Sequence, residues 1–168
     1  MPEMTELREL LKHELGDLLY AERRFLTATK TLAREAQDPL IKKRIEQHVA
    51  ETERQIERLD DAFAAIGETA KAEKCPGAIG LREEHDAFKS EEKPSKPILA
   101  AFDLGSGLRV EHYEIAAYRT AIAMATALGA DDCARILEES LEEELDMAGF
   151  LEETAVEALG KIASTVAA

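Results

Sequence analysis

The nonapeptide VEHYEIAAY, Val110–Tyr118, decides how this chain of 168 residues is read. It lies in a run rich in Ala, Leu and Ile whose pattern predicts a buried helix. Yet it carries Glu111 and Glu114 one turn apart, with His112, Tyr113 and Tyr118 around them. A carboxylate taken out of water is strongly destabilising unless something neutralises it. A core-facing helix that keeps two glutamates therefore implies a counter-charge supplied from elsewhere in the fold.

The composition narrows where that counter-charge comes from. Apolar residues make up 45% of the chain, enough to bury a core, and aromatics only 5%, with no Trp. Helix formers dominate over β-branched residues. A formal charge of −14 argues against nucleic-acid partners and against docking on an anionic membrane. No apolar run approaches the roughly 18 residues of a membrane span. The opening MPEMTELREL lacks the apolar stretch of a signal peptide. Two cysteines, Cys75 and Cys133, do not form a disulfide framework, so a reducing, cytoplasmic, bacterial-type setting is expected.

Periodicity gives four long helices. The first, over 5–36, places Leu11, Leu15, Leu18, Phe25 and Leu32 on one stripe. Asp38-Pro39 ends it and starts the second, which runs to Ile66 with Ile41, Ile45, Ile56, Leu59 and Phe63 inward. Gly67 stops that helix. A connection over 68–96 carries a short helix predicted over 79–89. The third long helix runs from Pro97 to Leu128, with Gly105 and Gly107 as weak points. Gly129 separates it from the fourth, which begins at Asp131 or Asp132 and reaches Ser164. Two helical hairpins, 5–67 and 97–164, joined by one long connection make a single all-α domain, a four-helix bundle with a crossover.

The glutamates then fall into register. Glu22 and Glu51 are equidistant from the Asp38-Pro39 turn, and Glu114 and Glu143 from the Leu128-Gly129 turn. Each pair lies about 20 Å from its turn at about 1.5 Å rise per residue. Glu22 sits between Leu18 and Phe25 on the apolar stripe, and Glu143 in line with Ser140, Met147 and Phe150. Four carboxylates in mid-bundle need protons or cations, and a dinuclear metal site is the economical answer. His48 and Glu111, each one turn before a core glutamate, fall in one layer and complete a set of Glu22, His48, Glu51, Glu111, Glu114 and Glu143. Asp146 stands in reserve. Oxygen-rich ligation with at most one imidazole suits iron or manganese better than zinc or copper.

Other residues have plainer readings. His112 is read as an outer neighbour of the site or a surface residue. Tyr113 and Tyr118 are read as core packing, with Tyr118 also placed to hydrogen-bond a ligand carboxylate. Cys75, beside Pro76-Gly77, is read as a buried turn cysteine without a partner that would activate it.

In order along the chain, DLLYAERRF (17–25), HVAETERQIERL (48–59), CPGAIGLREE (75–84), VEHYEIAAY (110–118) and LEESLEEEL (137–145) resemble the YciF/YciE-type ferritin-like proteins. The resemblance covers nearly the whole chain. It implies a ferritin-like bundle, dimerisation, a link to bacterial stress responses and a di-iron or related centre. It also places Asp17 and Tyr20 within a motif. One departure stands out. Ferritin-like bundles use Glu-x-x-His, whereas here the order is reversed, His48-x-x-Glu51, with Arg54 and Asp146 at the positions where histidines would follow. Two functional readings remain open. One is a di-metal carboxylate protein reacting with oxygen or peroxide. The other is a non-enzymatic dimeric stress protein whose site is structural or empty.

Overall fold

The computed structural model describes residues 4–166. Its elements are α1 (Leu7–Glu35), α2 (Pro39–Ala65), α3 (Pro76–Glu91), α4 (Lys96–Ala127) and α5 (Asp131–Val166). Local chemistry sets each boundary. Asp38 caps α2 by accepting from Leu40 N and Ile41 N at 2.8 and 3.2 Å, with Pro39 in the first turn. Gly67 and Gly129 end α2 and α4 at φ +70 and +68°, a conformation in which a Cβ would be strained. At both ends the following amide closes back on the last turn, Glu68 N on Phe63 O and Ala130 N on Ala125 O, each at 2.9 Å.

α1 packs on α2 and on α4, while α5 packs on α2 and on α4, so the four long helices form a square with α1 opposite α5. Side-chain pairs fix the directions. Glu22 meets Tyr118 while Phe25 meets Tyr113, so α4 runs antiparallel to α1. Gln55 meets Glu144 while Arg58 meets Ser140, so α5 runs antiparallel to α2. α2 and α4 are therefore parallel, and the connection between them must climb the length of the bundle. It does so along α1 and α4. Glu73 N donates to Gly16 O at 3.0 Å, and α3 then lies on α4, with Phe88 stacked on Phe102 at 3.7 Å. His85 Nε2 meets Asp103 Oδ1 at 2.9 Å on the same face.

Two expectations are adjusted here. The crossover helix begins at Pro76 rather than 79, because Cys75 Sγ accepts from Ala78 N at 3.4 Å and caps it. Cys75 is thus the buried turn cysteine the sequence suggested, and its Sγ also lies 2.8 Å from the Tyr113 hydroxyl. Gly105 and Gly107 do not interrupt α4; a Cβ on Gly107 would come within 3.3 Å of Leu151, so the small residue permits close packing of α4 on α5.

The core is divided. Leu11, Leu15, Leu18, Leu59, Phe63, Tyr118 and Leu137 fill one end. Ala33, Ile45, Leu104, Met147 and Leu151 fill the other. Between these apolar ends lies a buried polar layer. Among the described residues no helix is long and apolar enough to cross a membrane.

Glycine substitutions test the packing with opposite signs. A Cβ at Gly16 would sit 2.8 Å from Glu73 Cγ and 2.9 Å from the Lys71 carbonyl oxygen, so Gly16→Ala pushes the crossover off α1. Denaturant unfolding should show a loss of about 1–3 kcal/mol. Gly149→Ala meets nothing within 4 Å and should instead gain up to about 1 kcal/mol from helix propensity. Equal effects at the two sites would contradict this packing.

A candidate metal centre in the mid-bundle layer

The polar layer draws on all four long helices. On α1, Glu22 continues the stripe of Leu15, Leu18 and Phe25 and is 1% exposed. On α2, His48, Glu51, Thr52 and Gln55 are buried in succession. On α4, Glu111, Glu114 and Tyr118 share the inner face, and on α5 Ser140 and Glu144 do so. The structure therefore brings Glu22, His48, Glu51, Glu111 and Glu114 into one layer.

The acid from α5 is Glu144 and not Glu143. Glu143 points between α2 and α5, where Arg58 grips it through two bonds of 2.8 and 2.9 Å and Arg54 approaches at 3.4 Å. The inner stripe of α5 runs Cys133, Leu137, Ser140, Glu144, Met147 and Leu151, and one step of 100° turns Glu143 off it. Asp146 is exposed, so it supplies no reserve ligand. His112 is exposed too, and pairs with Glu152 at 3.4 Å.

At the centre, one ligand atom from each of His48, Glu111 and Glu144 lies within 4.8 Å of the others. His48 bridges two carboxylates, with Nδ1 3.2 Å from Glu51 Oε2 and Nε2 3.5 Å from Glu111 Oε1. Tyr118 donates to Glu22 Oε1, and Gln55 Nε2 donates to Glu144 Oε1 at 2.5 Å. Glu51 is gripped most completely, by Arg44 at 2.9 Å, Gln47 at 2.7 Å and His48. In contrast, Glu111 Oε2, Glu114 Oε1 and Glu144 Oε2 are buried with no hydrogen-bond partner.

Proton affinities follow from this geometry. Burial pushes Glu22 up to about 7, although the Tyr118 hydroxyl and the His48 charge oppose it. Burial also drives Glu114 well up, with the Glu22 and Glu111 charges adding to it. Glu144 goes the same way through burial and the charges of Glu111 and Glu114. Burial alone would lower His48, but the Glu111 carboxylate outweighs it and raises the imidazole to about 9. Glu51 is held down at about 2, since His48, Gln47 and Arg44 together overcome burial. Glu111 is likewise lowered, its burial overcome by His48. The layer thus favours an imidazolium between two carboxylates, with Glu114 and Glu144 driven toward the protonated form and Glu22 poised near neutrality.

The donor set suits a hard or borderline divalent cation. The His48 imidazole converges with the carboxylates of Glu111 and Glu144 in a buried layer that also holds Glu114, and buried polar oxygens are rarely left bare in folded proteins. Oxygen-rich ligation with one nitrogen fits iron or manganese better than zinc or copper.

A family model described as a domain of unknown function, DUF892, matches residues 6–164. Protein YciF of Escherichia coli is 34% identical over 143 residues, covering 84% of this chain and 85% of that protein. The crystal structure of the same E. coli stress protein superposes with a TM-score of 0.87 at 30% identity, over 94% of this chain and 99% of that one. The YcfI protein of Rhodopseudomonas palustris, to which a structural role is ascribed, superposes with a TM-score of 0.85 at 35% identity, over 89% and 95% of the two chains. With a matching family model over nearly its whole length and relatives of this similarity, the chain belongs to the DUF892 family and is a ferritin-like protein of the YciF type.

Proposed function

We propose that this chain is a di-metal carboxylate protein of the bacterial stress response, holding two iron ions, or manganese in their place, in the mid-bundle layer. The observation that carries this reading is the set of three buried oxygens, Glu111 Oε2, Glu114 Oε1 and Glu144 Oε2, aimed into one layer without a partner. His48, Glu111 and Glu144 form the tightest group, and Glu22, Glu114 and Glu51 surround it. Two bound iron ions would supply two electrons for the reduction of dioxygen or peroxide. The chain's own residues hold the carboxylates in place: Tyr118 orients Glu22, Gln55 orients Glu144, and the two apolar ends exclude water. Homodimerisation, taken from the family resemblance, and a cytoplasmic location belong to the same proposal.

A second reading has its own support. Arg44 and His48 already place two cations against Glu51 and Glu111, so a non-enzymatic stress protein could keep the layer as an internal salt bridge with shared protons. Metal content separates the two. Protein purified without chelator should carry about two ions per chain, and Mn(II) at 100 times Kd should stabilise it by about 2.7 kcal/mol. Less than about 0.2 ion per chain, with unfolding unmoved by Fe(II) or Mn(II), would favour the salt-bridge reading.

Substitutions refine the ligand set. Glu114 has no hydrogen-bond partner for Oε1, so Glu114→Leu should weaken metal binding while stabilising the metal-free fold by about 1–3 kcal/mol. Glu143→Gln should leave binding intact and change stability by less than about 1 kcal/mol, because it loosens only a partly exposed pair with Arg58.

The metal-free protein should also lose stability as pH rises. Glu22 keeps its proton up to about 7 when folded but ionises at 4.5 when unfolded. His48 keeps its proton up to about 9, against 6.5 unfolded. In both windows the native state binds more protons, so the slope of stability with pH is negative from about pH 4.5 to 9. Chemical denaturation in chelator at pH 5, 7 and 9 measures this, and a rise in stability across that range would refute the buried acids' assigned protonation.

A further inference from the structure

Glu51 is unlike the other acids of the layer. Glu111, Glu114 and Glu144 each keep an unpartnered oxygen, whereas both oxygens of Glu51 are occupied. Arg44 Nη1 lies 2.9 Å from Oε2, which His48 Nδ1 also meets at 3.2 Å, and Gln47 Nε2 donates to Oε1 at 2.7 Å. Both clamps come from α2 itself, one and two turns before Glu51, on the way from the exposed face to the core. The Arg44 side chain is only 15% exposed, so its charge is poorly screened, while Gln47 is exposed. With Arg44 and His48 both on Oε2, its two lone pairs are engaged, so a divalent cation must displace one of them there, and a guanidinium left beside it repels it.

We propose that Arg44 is a latch on Glu51: it competes with the second metal ion for Oε2, so that the layer fills in two unequal steps. The tighter step uses His48, Glu111 and Glu144, whose ligand atoms already converge. The weaker step requires Arg44 to release Glu51 and swing toward solvent. This rests on the metal reading above and adds to it a positioning residue that sets occupancy. A latch of this kind makes the second ion responsive to metal supply while the first stays bound.

The test is a titration of the full chain, stripped with chelator, in which Mn(II) is added and free Mn(II) is read by electron paramagnetic resonance. The wild type should bind in two resolved steps. Arg44→Gln removes the competing charge and should tighten the weaker step on the order of tenfold, with the tighter step moving less than about threefold. Arg44→Lys retains a cation and should stay near the wild type. Gln47→Ala, at an exposed position, should tighten the weaker step by about two- to threefold, and it carries the test if Arg44→Gln does not fold. A purely structural ion pair would lower stability in Arg44→Gln and leave both steps where they were, which overturns the latch. If Arg44→Gln does not fold, an untightened Gln47→Ala overturns it. A wild type that takes up no Mn(II) overturns the metal reading and the latch with it; a wild type that binds while the variants stay unmoved overturns the latch alone.

Discussion

Desolvation of carboxylates is the constraint around which the bundle is arranged. Glu22, Glu51, Glu111, Glu114 and Glu144 are all 6% exposed or less, and no apolar environment tolerates five free anions at close range. The structure spreads the burden. Two acids flank His48, one of them also bound by Arg44, while Glu114 and Glu144 lean on protons and Glu22 is poised near neutrality. Helix ends, the crossover and the two apolar clusters can then be understood as the frame that brings these groups to one height and keeps them there.

The head-to-tail packing of two hairpins puts residues from four helices at mid-height only if the connection between α2 and α4 spans the bundle. That requirement accounts for α3. Gly16 lets the crossover approach α1 closely enough for Glu73 N to bond to its carbonyl oxygen, and Cys75 caps the helix that follows. The same cysteine touches Tyr113, next in the chain to Glu114, so the crossover is seated against the helix that supplies two of the buried acids.

Most of the architecture was legible in the sequence because breakers and caps are local. Asp38-Pro39, Gly67 and Gly129 mark turns whose geometry depends on a few neighbouring residues. Glu22 was legible for a similar reason, since it interrupts a single unambiguous stripe. α5 offered two stripes. Ser140, Glu143, Met147 and Phe150 are spaced as regularly as Leu137, Ser140, Glu144, Met147 and Leu151, and equidistance from the Gly129 turn does not distinguish adjacent residues. The buried Cys133 and Leu137, extended forward in steps of three and four, single out Glu144. Arg44 could not be found by this route. Its position depends on how far a long side chain reaches along its own helix toward an acid two turns away, which no local pattern encodes.

The division of the core has a consequence for cooperativity. One apolar cluster gathers the α1–α2 openings and the α4–α5 turn, the other the opposite ends of the same helices, and the helices themselves run through both. Between the two clusters lie the polar layer and a smaller apolar group, Ala21, Phe25, Cys75 and Ala78, where α3 seats on α1. When that layer is neutralised and bonded, the two ends are rigidly coupled and unfold together. Unbalanced charge there lowers the local stability of the middle of the bundle and loosens the coupling between its ends. The charge state of the acids at mid-height therefore bears on how tightly the two ends are coupled in unfolding.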